Sequence, residues 1–526
     1  MNNWVKLFFL LLALAYMLIS IKHVLHMFQQ NRYELPRYTG WLKQRRYDYQ
    51  DVVVGLIMAV IWLIPLFFRN ALVIMLYLLL FCTLKLALEW KIERNKNYIK
   101  PLKYTGRVKR QAAVILILNI IWLLLWMRLP VSLWPLALIV AFYVNWLLIY
   151  VVYYLTQPLE NLIKRYYLDQ ARQILQNSPS LKKIGITGSY GKTSTKNIVN
   201  AVLADQYYTL MTPASYNTPM GITITIRELL KPLHEVFICE MGADKVGEID
   251  FLTKFVRPQY GIVTSIGPQH LNTFHSLENI IQEKMCMIEN LPEDGIGFLN
   301  MDNEYIRQYH VHNACRLISY GIHDQTADYR AAAIEYSPYG SHFKVLAEGQ
   351  EWGFATKLLG EHNIMNILVA VALGRTMGIS WEKLQKTIKD LDYIEHRLQL
   401  KKINGLTFID NAFNSNPAGA AMSLDVLSRM PGKRIIITPG MIDLGQQQDQ
   451  ANRTFGRQML GKADHVILVG KRQTAAILAG LSETGFDESQ IKVVDTVKEA
   501  FGYVYQIADG TDTILLENDL PDAFNN

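Results

Sequence analysis

Hydrophobic positions follow two different patterns along this chain of 526 residues. As far as about residue 155 they form long runs, at about 4–21, 51–68, 70–90, 112–129 and 132–154. Each run approaches the length of a bilayer span. Arg69-Asn70 separates the second from the third, and Arg128-Leu129-Pro130 joins the fourth to the fifth, so both junctions predict tight turns. Lys85 and Glu89, near the end of the third run, predict snorkelling or pairing across one helical turn. Beyond residue 155 the runs shorten to strand length, as at 182–188, Val236–Cys239 and Gly261–Ile266. Runs at 433–438, 465–470 and 512–517 alternate with helical segments and predict a small doubly wound domain. The expected fold class is an α-helical transmembrane region, residues 1–156 in about five helices, a linker helix over 157–180, and then α/β domains.

Charge refines this picture. The formal net charge is +7, and much of it lies in two segments between apolar runs. One carries Lys22, Arg32, Arg37, Lys43, Arg45 and Arg46. The other carries Lys91, Arg94, Lys96, Lys100, Lys103, Arg107, Lys109 and Arg110. Basic loops between spans indicate a membrane surface rather than nucleic acid. The positive-inside rule makes both loops cytoplasmic. Five spans then place the N-terminus outside and everything after residue 155 in the cytoplasm, in a multi-pass protein of the cell membrane. The first run reads as an uncleaved anchor, because no small-residue cleavage site precedes Lys22. The two basic segments share a Tyr-Thr-Gly, at Tyr38-Thr39-Gly40 and Tyr104-Thr105-Gly106. They read as interfacial anchors, or as a duplicated helix–loop–helix whose glycine turns contact the phosphates of a lipid-linked substrate. The four cysteines, Cys82, Cys239, Cys286 and Cys315, include no CxxC pair, which excludes a zinc ribbon and a disulfide framework. They are expected to be free thiols in a reducing compartment.

Candidate chemistry begins after the strand-like 182–188. Gly188 and Gly191 allow a nest of backbone N–H groups around phosphates. Ser189 lies in the same turn, Lys192 can reach terminal phosphates, and the Thr193 hydroxyl can hold Mg²⁺. With Ser194 these residues open a helix expected to run to about 204, whose N-terminus adds positive potential. The strict phosphate-loop spacing would need glycine at position 186, which is Ile186. Glu240 ends an apolar run and should sit at a strand tip, where open α/β sheets place ligands. His270 follows another such run.

The segment Thr187–Thr193 resembles the ATP loop of the Mur ligases, which build the peptide stem of peptidoglycan. Their relatives include folylpolyglutamate, cyanophycin and poly-γ-glutamate synthetases. Further matches follow in order. They are Ser215–Gly221, Glu240-Met241-Gly242-Ala243, Gly267–Leu271, Ser276–Ile280, Asn300-Met301-Asp302, Gly360–Asn366 and Asp410–Pro417. The Glu240 segment is similar to the D-alanyl-D-alanine-adding branch. The resemblance covers about 175–516. It implies a P-loop-type ATP-binding central domain, 181–398, and a smaller Rossmann-like C-terminal domain, 399–526. It also implies ATP and Mg²⁺, with phosphorylation of a carboxylate, attack of an amine on the acyl phosphate, and release of ADP. By the same resemblance Thr193, Glu240 and His270 are metal ligands. Lys284 corresponds to a lysine carbamylated by CO₂ into a further metal ligand. Asn300 contacts adenine, Asn363 and Asn366 line the nucleotide cleft, Arg397 links the two domains near the phosphates, and Asp410 is a ribose or domain-closure contact. Lys192, Lys284, His270 and Arg397 form the implied catalytic set.

Four departures stand out. Cys286 occupies a position where glutamate is frequent, Asn411 one where a second acid is frequent, and Asn452 one where histidine is common. Glu517–Asp522 replaces a Lys-Gly-Ser-Arg segment. An acidic segment there favours a free ammonium and disfavours a carboxylate on the incoming substrate. The family's soluble UDP-sugar domain has no counterpart between the last span and the ATP loop. The expected function is therefore a membrane-bound amide ligase. It would join an amino acid or small peptide to a lipid-linked or UDP-linked cell-envelope precursor, the former favoured by confinement at the bilayer. A poly-γ-glutamate-type polymer ligase and a degenerate ATP-binding scaffold are the competing readings. Assembly partners open at this stage are a second copy of the chain and other envelope-synthesis proteins.

Overall fold

The computed structural model describes residues 3–45, 80, 101–129, 134–412, 415–442, 444 and 447–518. The expected run 51–68, all of 70–90 but residue 80, the Arg69-Asn70 turn, the Lys85/Glu89 pair, Cys82, Pro130 and 519–522 lie outside these residues. The chain falls into two compact units, Met1–Tyr166 and Tyr167–Asn526.

In the first unit a helix runs over Asn3–Gln30, beyond the apolar run 4–21. Val24, Leu25 and Phe28 continue its buried face, which is why the helix absorbs residues expected to form a basic loop. A short second helix, Leu35–Arg45, follows. The 21-residue helix Gly106–Trp126 begins at Thr105, whose hydroxyl accepts from the Val108 N–H at 3.4 Å. By length and composition it is the one helix among the described residues able to cross a membrane. Helix Trp134–Gln176 is continuous over 43 residues, with Pro158 inside it. The separate linker helix expected over 157–180 is therefore an extension of the preceding run. The carbonyl that Pro158 leaves without its helical donor belongs to Tyr154, a strongly exposed residue.

The two Tyr-Thr-Gly segments do not form matching turns. The first is helical, with Tyr38 fully buried and donating to the Trp146 carbonyl at 3.0 Å, and with the Thr39 and Tyr150 hydroxyls 2.6 Å apart. Its backbone N–H groups are engaged in the helix. The second supplies the helix cap at Thr105. Gln29 joins the two regions by donating to the Lys103 carbonyl and accepting from its N–H, both at 2.9 Å.

The second unit carries two sheets. The strands of the larger are β1 (Lys182–Thr187), β2 (Thr209–Met211), β3 (Val236–Glu240), β4 (Tyr260–Val263), β5 (Ile296–Asn300), β6 (Arg316–Gly321), β7 (Tyr329–Ser337), β8 (Gly340–Ala347) and β9 (Gln350–Thr356). Their order is β2-β3-β1-β4-β5-β6-β7-β8-β9. Pairing is parallel through β7, and β7–β9 add an antiparallel meander. All five residues of β3 are buried, as suits a central parallel strand covered on both faces. One face packs on Lys192–Ala204 and Glu361–Thr376, and the other on Glu248–Val256 and Leu277–Glu289. Leu168, Ala171 and Leu175, from the end of the long helix, join the second core.

The smaller sheet contains β10 (Gln399–Ile403), β11 (Leu406–Asn411), β12 (Arg434–Thr438), β13 (His465–Val469), β14 (Ile491–Val494) and β15 (Thr513–Glu517), ordered β10-β11-β15-β12-β13-β14. Only the β10–β11 pair is antiparallel. Helix Pro417–Ser428 starts after β11, capped by Asn416 with Pro417 in its first turn.

Candidate active site

The site forms at the C-terminal ends of β1, β3 and β4. Ile186 belongs to β1 and is fully buried, so the first glycine of the phosphate loop, Gly188, comes two positions later than the strict glycine spacing anticipates. Gly188 has φ +147°, and a Cβ there would meet Thr264 Oγ1 at 2.1 Å. Gly191, at φ +83°, leads into helix Lys192–Ala204. Ser189 N–H donates to the Ser265 carbonyl at 2.6 Å, its hydroxyl reaches the Gly267 carbonyl at 3.0 Å, and the Tyr190 hydroxyl donates to the Pro268 carbonyl at 3.2 Å. The phosphate loop is thus fastened to the segment that leads to His270. The Lys192 ammonium folds over this loop, donating to the carbonyls of Gly188 at 2.6 Å and Ser189 at 3.1 Å. Burial holds its pKa below the usual lysine value, although Glu240 opposes the shift.

Glu240 is only 1 % exposed. Its Oε1 accepts from the Thr193 hydroxyl at 3.2 Å and from Asn217 Nδ2 at 3.0 Å. Its Oε2 accepts no well-directed hydrogen bond, but lies 2.9 Å from the Nζ of Lys196. His270 adopts φ +55° and places Nε2 3.3 Å from Asp244 Oδ1. Lys284 is buried, with Nζ 3.4 Å from the Ala243 carbonyl and 5.6 Å from the Phe274 ring centre. Burial, followed by the positive charge of Lys192, lowers its pKa to about 7. Asp244 therefore contacts His270, and its charge acts on both Lys192 and Lys284. Sequence reasoning passes over it, although it directly follows the Glu240–Ala243 segment. Cys286 is half-buried, and its thiol is pushed up to about 11 by burial. The neighbouring acid, Glu283, instead accepts from Gly247 N–H at 2.7 Å and Ile249 N–H at 2.5 Å, anchoring the start of helix Glu248–Val256.

The asparagines mostly hold the frame. Asn300 donates to the Thr264 carbonyl at 2.7 Å and accepts from Asp302 N–H at 3.1 Å. Asn363 donates to the Leu359 carbonyl at 2.8 Å. Asn366 accepts from the Thr195 hydroxyl at 2.9 Å, while its buried Nδ2 has no partner among the described residues. Ser194 lies buried in the first turn of the phosphate-loop helix. Arg397 is held between two left-handed residues, His396 at φ +57° and Leu398 at φ +47°. Burial lowers its pKa, while Glu240 of the larger-sheet domain and Glu517 of the smaller-sheet domain both act to raise it. Asp410 Oδ2 lies 2.6 Å from Lys401 Nζ and 2.8 Å from His396 Nδ1. Burial raises its pKa, but those donors and the Ala412 N–H outweigh it and leave the carboxyl below its ordinary value.

Two departures noted separately in the sequence meet in space. Asn411 and Glu517 are register partners on β11 and β15, and Asn411 Nδ2 donates to Glu517 Oε2 at 2.8 Å. Ser415 donates to Oε1 at 2.6 Å. Glu517 is fully buried, which raises its pKa, so it is no open ammonium-binding surface. This corrects the expectation for the first residue of the acidic segment. Asn452 is likewise no part of a substrate pocket. It is 2 % exposed and clamps both backbone groups of Met441, at 2.8 and 2.9 Å.

Mg²⁺ and nucleotide suit these residues. Thr193 and Glu240, both oxygen donors for a hard cation, stand within 3.2 Å of each other beside a lysine that already solvates loop carbonyls. The unpartnered Asn366 Nδ2 supplies a further donor nearby. A phosphate loop, an acid at the neighbouring strand tip and an arginine ahead of the second domain on which Glu240 and Glu517 both act define a nucleotide-binding protein of two α/β domains.

Comparisons narrow this class. A model of the Mur ligase middle domain matches residues 186–374, and one of the Mur ligase glutamate ligase domain matches 396–517, together more than half of the chain. The UDP-N-acetylmuramoyl-tripeptide–D-alanyl-D-alanine ligase of Bacillus subtilis is 29% identical over 338 residues, 64% of this chain and 72% of that protein. Its counterpart in Escherichia coli is 27% identical over 325 residues, 61% and 72%. MurF from Thermotoga maritima, solved in complex with ADP, shares the fold with a TM-score of 0.62 at 22% identity, covering 69% and 81% of the two chains. MurF from Acinetobacter baumannii gives 0.61 at 24% identity, covering 68% and 77%. The chain belongs to the Mur ligase family of ATP-dependent, ADP-forming ligases.

Proposed function

We propose that the chain is a membrane-bound Mur-type ligase that joins an amino acid or peptide amine to a carboxylate on a lipid-linked cell-wall precursor. The relatives of B. subtilis and E. coli are named for joining D-alanyl-D-alanine to a UDP-linked tripeptide. The observation that carries the ligase reading is the Lys192–Thr193–Glu240 group at the C-terminal ends of β1 and β3, with Glu240 acting on Arg397. The membrane reading rests on the apolar runs before residue 155 and on helix Gly106–Trp126. Its topology has several spans, the N-terminus outside and both α/β domains in the cytoplasm.

In this reading ATP phosphorylates the carboxylate, and the amine displaces phosphate. Lys192 and the loop N–H groups hold the transferring phosphate, and Arg397 offsets charge as the C-terminal domain closes. Thr193, Glu240 and His270 would hold Mg²⁺, which supplies charge neutralisation at the phosphates. Lys284, which pairs with no carboxylate among the described residues, is proposed as the carbamylated ligand.

The test is an assay of the full chain in detergent with ATP and Mg²⁺. Lipid-linked and UDP-linked muropeptides are offered with a panel of amines, and ADP release and product mass are followed. Product should form with the lipid-linked precursor, and Lys192→Ala should lower the rate about a hundredfold or more. Product from the UDP-linked form alone would remove the lipid-linked reading. A fully functional Lys192→Ala variant would favour an ATP-binding scaffold.

A further inference from the structure

Lys196 is one of the least exposed lysines the fold could hold, at 1 %. It sits one turn beyond Lys192 on the phosphate-loop helix, but its ammonium points inward. Nζ donates to the Ala214 carbonyl at 2.6 Å and lies 2.9 Å from Glu240 Oε2. A buried ion pair is weak evidence for stability, because apolar side chains of similar volume often serve as well. Something other than stability should account for this one.

The arrangement around Glu240 supplies it. The two carboxylate oxygens face different partners. Oε1 faces the Thr193 hydroxyl and Asn217, the side on which a metal would be held. Oε2 faces Lys196. Remove the ammonium, and no other described group hydrogen-bonds Oε2. The carboxylate is then free to turn both oxygens toward Thr193 and Asn217, engaging them with protein donors instead of metal. Lys196 is itself fixed by the loop it reaches. Ala214 has φ +41°, and the same loop carries Asn217, whose carbonyl accepts from Gly242 N–H at 2.9 Å. Helix, acid and loop are thereby locked together through one ammonium.

We propose that Lys196 is a positioning residue that holds Glu240 with Oε1 presented to the nucleotide-bound divalent cation. Two effects oppose each other. A cation this close repels a metal, so its loss by Coulomb's law alone would tighten metal binding. Its loss also frees the ligand it orients, and loss of a partner that orients a ligand typically weakens metal affinity about ten- to a hundredfold. The orientation effect should win, because Lys196 faces the carboxylate oxygen turned away from Thr193.

The proposal rests on the nucleotide-and-metal reading above. The test is calorimetric titration of the full chain in detergent with adenylyl imidodiphosphate, with and without Mg²⁺. The quantity read is the factor by which Mg²⁺ tightens the nucleotide. Lys196→Met should reduce that factor about tenfold or more while leaving metal-free nucleotide affinity within about twofold. Lys196→Arg should recover part of it. Should Lys196→Met not fold, Lys196→Gln, which keeps a donor for the Ala214 carbonyl, carries the same expectation. An unchanged Mg²⁺ factor, or an equal loss with and without Mg²⁺, would overturn the positioning role alone. A wild-type chain indifferent to Mg²⁺ would overturn the metal reading beneath it.

Discussion

Glu517 shows how a single side chain changes meaning once its neighbours are known. As a letter it reads as an acid replacing a base. In the fold it is a fully buried carboxyl satisfied by Asn411 and Ser415. Its pKa is raised in the folded state, chiefly by burial. The native protein therefore binds its proton more tightly than the unfolded chain does. Stability from this group is complete below the unfolded value and is lost as pH rises through the folded one. Glu517→Gln should flatten that slope and, at pH 8, raise Tm by roughly 2–4 °C, the size of about 1 kcal/mol in a domain of about 150–250 residues. Melting curves from pH 4 to 9 check it, and a variant less stable at pH 8 would count against it. Lys192, Thr193 and Glu240, which the fold brings together around the phosphate loop, all stand in ordered motifs of the sequence. Asp244 and Lys196 cannot be picked out in that way, because their roles depend on side chains that meet only after β1, β3 and β4 align. Contacts such as Asn411–Glu517 span 106 residues of sequence, and no local pattern announces them.

Among elements, those that bury both faces are legible and those that depend on register are not. β1, β3, β12, β13 and β15 read as short apolar runs because parallel strands are covered on both sides. The meander β7–β9 alternates buried and exposed residues and gives no continuous run. The helix Trp134–Gln176 is split in expectation because its apolar run stops near residue 154, whereas the helix continues through Pro158, whose freed carbonyl lies at an exposed position. The phosphate loop is the element most constrained by its backbone. Gly188→Ala would force a left-handed conformation and a Cβ against Thr264 Oγ1. It should cost about 1–3 kcal/mol of stability and abolish detectable ATP binding. Thermal melts and nucleotide titration together check this, and retention of ATP affinity would show that the turn relaxes.

At the scale of the molecule, the α/β unit begins before its first strand. Leu168, Ala171 and Leu175 are buried in one of its cores, so the end of the long helix is part of the fold rather than a tether. A fragment starting at Tyr167 should melt cooperatively without detergent. A fragment starting at Asn177 loses that apolar cover, with about 1.5–3 kcal/mol at stake for each leucine, and should melt clearly lower or aggregate. Equal melting temperatures for the two fragments would contradict this. The pairing of Asn411 with Glu517 also ties together two positions far apart in the chain. An acid at position 411 opposite Glu517 would bring two carboxylates within hydrogen-bonding distance in a buried place. A lysine at position 517 opposite Asn411 would set a buried cation against an uncharged amide, which is costly as well. Neither position is therefore free to exchange its charge alone, although 106 residues separate them.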